Sequence, residues 1–238
     1  TSRALGWSLH NIPVAPVEDD VIKALAAYDD EGVRHNITRV VKRYGEANKA
    51  AALEVLMGIR IDDSKAVADE VLSEIGKHGA FKVADLSANH IQHLHDQLLK
   101  AQTIEDYNIE TYLSDLSAEH PEQAVKLLME RVEYKEAHDD ADVWEDRYKP
   151  LPYVHHNGPA LRVAETDKYE QLLKQVRDWT AVKTDNWVRA HYGKDLFKMV
   201  SAGFDKTTLK VLGEWIMSGD DEKLEAAAFV ATALGTVS

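Results

Sequence analysis

The segment NHIQHLHDQ, residues 89–97, sets His90, His93 and His95 close together, with Asp96 directly after the last of them. Imidazoles ligate metals and carry protons near neutral pH, and histidines combined with carboxylates build hydrolytic metal centres. His138 and Asp139 repeat the His-Asp pair. On a helix His90 and His93 share a face, but Leu94 and Leu98 claim the neighbouring positions, so a metal would need further ligands from elsewhere in the chain. The spacing favours solvated histidines at the edge of an apolar stripe. DDADVWED, residues 139–146, alternates acids in the manner of a calcium loop, yet the turn glycine and the closing glutamate are both misplaced. No GxxxxGK[ST], GxGxxG or GxSxG is present, and the absence of cysteine excludes thiolate chemistry and Cys-ligated zinc. The reading therefore assigns no catalytic, cofactor-binding or metal-binding residue, expects no cofactor, and leans away from an enzyme. A site assembled from residues far apart in the chain stays open.

The elements that would position such residues are helices. Apolar residues recur at helical spacing almost throughout: Ile37, Val40 and Val41; Leu53, Leu56 and Ile59; Val67, Val71, Leu72 and Ile75; Ile91, Leu94 and Leu98. The pattern continues in Ile109, Tyr112, Leu113 and Leu116, then in Val125, Leu128 and Val132. It resumes at Leu172 and Val176, at Leu196, Phe197 and Val200, and from Leu209 to Ile216 and Leu224 to Ala231. AFKVADL, residues 80–86, is the nearest approach to strand alternation and is short. Only six prolines and twelve glycines interrupt 238 residues, as long helices require. The junctions supply helix starts: Pro121 at a first helical position, and Asp205, Ser87, Asp63 or Ser64, and Ser218, Asp220 or Asp221 as caps. The fold class expected is all-α, with antiparallel helix pairs stacked in an array that one long loop interrupts.

LSAEHPEQAVKLL (116–128) and VSAGFDKTTLKVL (200–212) align without a gap, and KYEQLLKQV supplies a third copy of the stripe between them. Tyr169, Leu172 and Val176 follow Val125, Leu128 and Val132 by 44 residues and precede Leu209, Leu212 and Ile216 by 40. Helix-pair units of roughly that length build HEAT and armadillo arrays, although amphipathic helices also match one another by chance. The echo between DLSANH (85–90) and DLSAEH (115–120) is read as coincidence.

Helical periodicity fails across residues 138–160, where acids give way to aromatics and histidines. This divides the chain into a helical array over 1–137, an irregular acidic and aromatic loop over 138–160, and a second array over 161–238. A loop of that length inside a compact domain is usually functional or inserted. Its Trp144, Tyr148, Tyr153, His155 and His156 are the candidate interaction residues, weighed against aromatics that pin an insertion to the helices.

With 41 acids against 28 bases the net charge is −13, which opposes a polyanion and disfavours nucleic acid as a partner. No apolar run is long enough to span a membrane and no leader is visible, so cytoplasm is the default location and no membrane is expected. The chain begins without Met and stops after FVATALGTVS, which reads as a fragment of a longer protein whose last helix exposes Phe229, Val230 and Leu234. Oligomeric state is open.

On these features the chain resembles a HEAT-like α-solenoid, best over residues 105–238. YKPLP (148–152) and YEQLLKQVRDW (169–179) are similar to the C-terminal helical regions of large bacterial signalling NTPases, including those of antiphage defence. That resemblance implies a non-catalytic, protein-binding scaffold or sensor region, since no nucleotide-binding element is present. Two alternatives stay beside it. HEAT-like alkylpurine DNA glycosylases have about this length and imply a basic groove, with Trp144, Trp179, Trp187 and Trp215 as conceivable base contacts. The His-Asp pairs resemble helical HD-type metal-dependent phosphohydrolases, which need further His and Asp residues on neighbouring helices.

Overall fold

The computed structural model describes residues 19–76, 79–138, 148–152, 161–182 and 187–235. Among them are eleven α-helices and no strand. In chain order these are α1 (Asp19–Ala26), α2 (Glu31–Ala47), α3 (Lys49–Met57), α4 (Lys65–Ser73), α5 (Ala88–Lys100) and α6 (Tyr107–Glu119). They continue as α7 (Pro121–His138), α8 (Tyr169–Thr180), α9 (Val188–Val200), α10 (Lys206–Ile216) and α11 (Asp221–Gly235). The one strand-like segment closes only an isolated bridge between Ile75 and Phe81, followed by a short 3-10 turn at Val83–Asp85.

Side-chain chemistry at the junctions sets where the helices begin. Ser64 accepts from the Val67 N–H at 3.3 Å, Ser87 from His90 at 3.2 Å and Asp205 from Thr208 at 2.7 Å. Asp220 accepts from Glu222 at 3.0 Å ahead of α11. Each satisfies an N–H that has no partner inside its helix, a contribution of about 1 kcal/mol. Pro121 occupies the first position of α7, where its missing N–H costs nothing.

The chain forms two compact units, residues 1–112 and 113–238, with the division falling inside α6. In the first, Ile37, Leu56, Ile61, Leu72, Phe81, Leu94 and Leu98 are buried, and the closely packed pairs are α1 with α2 and α3, α2 with α3 and α4, and α3 with α5. In the second, Val125, Leu128, Leu172, Val176, Phe197, Val211, Trp215 and Val230 are buried. Its closely packed pairs are α7 with α8 and α9, α8 with α9 and α10, and α11 with α9 and α10. Every one of these pairs joins helices that are adjacent or next but one in sequence.

The packing of α8 on α9 depends on a missing side chain. A Cβ at Gly193 would lie 2.6 Å from both Cγ2 and Oγ1 of buried Thr180. Gly193→Ala should therefore cost about 1–3 kcal/mol, the usual penalty for overpacking. Adding Thr180→Ala removes both colliding atoms, so the double variant should melt above the sum of the single losses. Thermal melts of the three proteins check this, and an unchanged melting temperature for Gly193→Ala would contradict the close approach.

The expected exposure of the last helix needs correction. Val230 and Leu234 are buried, because α11 turns that stripe onto α9 and α10; Phe229 is half-exposed, with the Lys194 ammonium 4.8 Å from its ring centroid.

Candidate protein-binding surface

The histidines that raised the question of metal chemistry are each committed to helix structure. Ser87 and His90 form a reciprocal cap: the Ser87 N–H donates to His90 Nδ1 at 3.3 Å while the serine hydroxyl accepts from the His90 N–H. With Nδ1 accepting, Nε2 carries the ring hydrogen and donates to Glu54 Oε1 at 3.1 Å. Ser, His and Glu thus lie in a row, but both ring nitrogens are engaged and neither activates the hydroxyl, which serves the backbone. His93 Nε2 pairs with Gln97 at 2.7 Å, Asp96 accepts from Gln92, and His95 is buried. His138 pairs with the Tyr134 carbonyl at 2.7 Å; Asp139 lies outside the described residues. Among the described residues no three His, Asp or Glu side chains group as metal ligands.

An acidic pair also resolves into packing. Asp69 accepts from both the backbone and side-chain N–H groups of Asn108, at 3.2 and 2.9 Å, and lies beside the Asp106 carboxylate. Burial pushes Asp69 up. Burial acts on Asp106 in the same direction, but its bonds to Asp69, Lys65 and the Tyr107 N–H hold it down. The pair ties the first turn of α6 to α4.

Of the loop residues singled out in the sequence, Trp144, Tyr153, His155 and His156 lie outside the described residues. Tyr148 lies within them, and its ring is held by packing. The Arg131 guanidinium sits 4.6 Å from its ring centroid and the Tyr134 ring 5.1 Å away. Arg131, wholly buried on α7, donates from Nε to the Pro150 carbonyl at 2.9 Å and from Nη2 to the Lys149 carbonyl at 2.6 Å. Burial lowers this guanidinium to about 10 and raises the Tyr148 phenol to about 12, so at neutral pH the first is charged and the second is not. The role of Arg131 was missed in the sequence, although an arginine inside the Val125–Leu128–Val132 stripe is the signal that marks it. Two of the four tryptophans proposed as base contacts are buried. Trp179 donates to Glu133 at 2.8 Å beneath the Arg189 guanidinium, and Trp215, on α10, has the Arg177 guanidinium 5.3 Å from its ring centroid; Trp187 is exposed. Trp144 is undescribed.

The exposed feature that the helices do not explain lies on α10 and α11. Leu209 and Ile216 are each 54% exposed, Met217 is 85% exposed, and Leu224 lies about half open beside them in sequence at the start of α11. Gly213 completes the α10 stripe, and a Cβ built there meets nothing within 4 Å. The opposite side of α10 faces α8: Arg177 donates to the Val211 carbonyl at 2.9 Å and to Glu214 at 3.0 Å, Tyr169 pairs with Thr208 at 2.9 Å, and Lys210 reaches Glu170 at 2.6 Å. At about 100° per residue, Leu209 and Ile216 lie roughly 140–160° around the helix from Glu214.

No protein-family model, curated protein or solved structure matches the chain. The 40-residue match between the α8 and α10 stripes bears on the exposed residues. Tyr169, Leu173, Val176 and Arg177 of α8 lie 40 residues before Leu209, Gly213 and Ile216 of α10 and Met217 at its C-terminal cap. Tyr169 and Arg177 are two of the α8 side chains that bond α10, beside Glu170 and Lys174, and all four matched α8 residues are buried. At that offset Tyr169 and Arg177, which bond α10, correspond to Leu209 and Met217, which are left in solvent. The sequence alignment contained that correspondence, but only the burial of one copy and exposure of the other gives it meaning.

Proposed function

We propose that the chain is a non-catalytic helical scaffold or sensor region that binds protein through the free face of α10, and that its helices stack as a HEAT-like array. The closely packed pairs among the described helices are all adjacent or next but one in sequence, which supports the stacking, since repeat arrays bury each unit mainly against its neighbours. The observation that carries the binding role is the repeated face left uncovered at Leu209, Ile216 and Met217, where the preceding copy is fully packed. Large apolar side chains gathered on one surface mark protein contacts more often than they arise as scattered exposure. The engaged histidines and acids described above favour this reading over metal-dependent hydrolysis, and the net charge of −13 favours it over a DNA groove.

A display selection tests the proposal. Helical peptides enriched on the wild-type chain should carry apolar residues at helical spacing, and they should lose at least tenfold in affinity for a Leu209→Glu, Met217→Glu variant. Thermal melting should be nearly unchanged, because both side chains are already in water. Equal binding to the two proteins would count against the surface.

A further inference from the structure

Building on the binding role of the α10 face, we infer that its occupant is a second copy of the same face, related by a two-fold axis. The stripe is close to palindromic. In an antiparallel pair of α10 helices crossing beside Gly213, Leu209 of each copy meets Ile216 of the other, so this apolar contact occurs twice. Gly213 leaves the crossing point open, so the two backbones can approach closely.

Charge is self-complementary about the same point. Lys206 stands at the start of α10, and beyond its end come Asp220 and Asp221, separated from the helix by the 217–219 turn. Lys206 and Asp221 are exposed, and neither makes an ion pair among the described residues. The antiparallel crossing brings Lys206 of each copy over the acidic turn of the other. A parallel contact, such as the next helix of the layer would make, sets Lys206 beside Lys206 and Asp221 beside Asp221. Like charges at both ends oppose that alternative. So few apolar side chains per copy fall short of the ~800 Å² per partner of a standard interface, so the association is weak, with dissociation in the range of roughly ten to two hundred micromolar.

Sedimentation equilibrium of the full chain from low micromolar to several hundred micromolar tests the inference, with circular dichroism confirming that each variant remains helical. Wild type should pass from the chain mass to twice that mass. Leu209→Glu with Ile216→Glu should leave it monomeric, because the new carboxylates face each other across the axis. Lys206→Asp and Asp221→Lys should each weaken dimerisation at least threefold, and the two together should restore it. A wild type that stays monomeric throughout overturns the second-copy assignment; the protein-binding role then stands or falls separately on the peptide selection. Dimerisation that survives the double glutamate, or that the paired charge swap fails to restore, also overturns it.

Discussion

Arg131→Met should lower the stability of the second unit by about 3 kcal/mol, a fall of roughly 6–12 °C in melting temperature for a unit of this size. Methionine fills much of the volume but donates nothing. The Pro150 and Lys149 carbonyls lose their bonds at 2.9 and 2.6 Å, and the Tyr148 ring loses the cation stacked against it. A buried acceptor left unpaired costs its full desolvation, about 1–3 kcal/mol. The loss should also be local, so that amide exchange across residues 148–152 accelerates more than exchange in α10 or α11. Tyr148→Ala should reproduce the local loosening with a smaller fall in melting temperature, because the arginine can still reach both carbonyls. A melting temperature within ~1 °C of wild type for Arg131→Met would show that the segment is held by other contacts.

The second large effect belongs to the first unit and depends on pH. Arg34, buried on α2, grips Asp63 with both terminal nitrogens, at 2.7 and 3.0 Å, and donates to the Arg60 carbonyl at 2.6 Å. Arg60 binds the same carboxylate from its other side and reaches Asp29 at 2.9 Å. Hydrogen bonds from Arg34 above all, opposed by partial burial and aided by Arg60, hold the Asp63 carboxyl down at about 2. A folded value below the unfolded one means that the unfolded chain binds the proton first as acid is added. The stability from this pair is complete above about pH 4 and disappears as pH falls through 2. A shift of nearly two units would be worth about 2.5 kcal/mol, reduced to about 1–2 because Asp63 remains a third exposed. Arg34→Met should thus cost about 2–3 kcal/mol at pH 7, including the lost bond to the Arg60 carbonyl. The gap to wild type should narrow between pH 4 and pH 2. A gap that stays constant across that range would mean the arginine acts by packing alone.

Local order was readable because helices are specified by near neighbours. Ser64, Ser87 and Asp205 cap where their spacing placed them, and Pro121 begins a helix because a residue without an N–H belongs there. The stripes Val125–Leu128–Val132 and Leu172–Val176 became core because a 3.6-residue period puts such residues on one side. The histidine pairs had no comparable support. Spacing along one helix can show that His90 and His93 share a face, but not that Ser87 and Glu54 occupy the two nitrogens of one ring.

The surface proposed for binding divides along the same line. The sequence by itself determined that Leu209, Leu212 and Ile216 form an apolar stripe and that this stripe repeats an earlier one. It also determined the helical class and the excess of acids over bases. Periodicity is an angular property of a single helix, however, and records nothing about which helix lies alongside. Only the tertiary structure decided that Leu212 is covered while Leu209 and Ile216 are not, and that Val230 and Leu234 turn inward. It also decided that an arginine in the middle of an apolar stripe reaches two carbonyls 18 and 19 residues away. Each of these depends on contacts between segments distant in the chain, whose free energy is settled by packing geometry and desolvation rather than by the identity of neighbours in sequence.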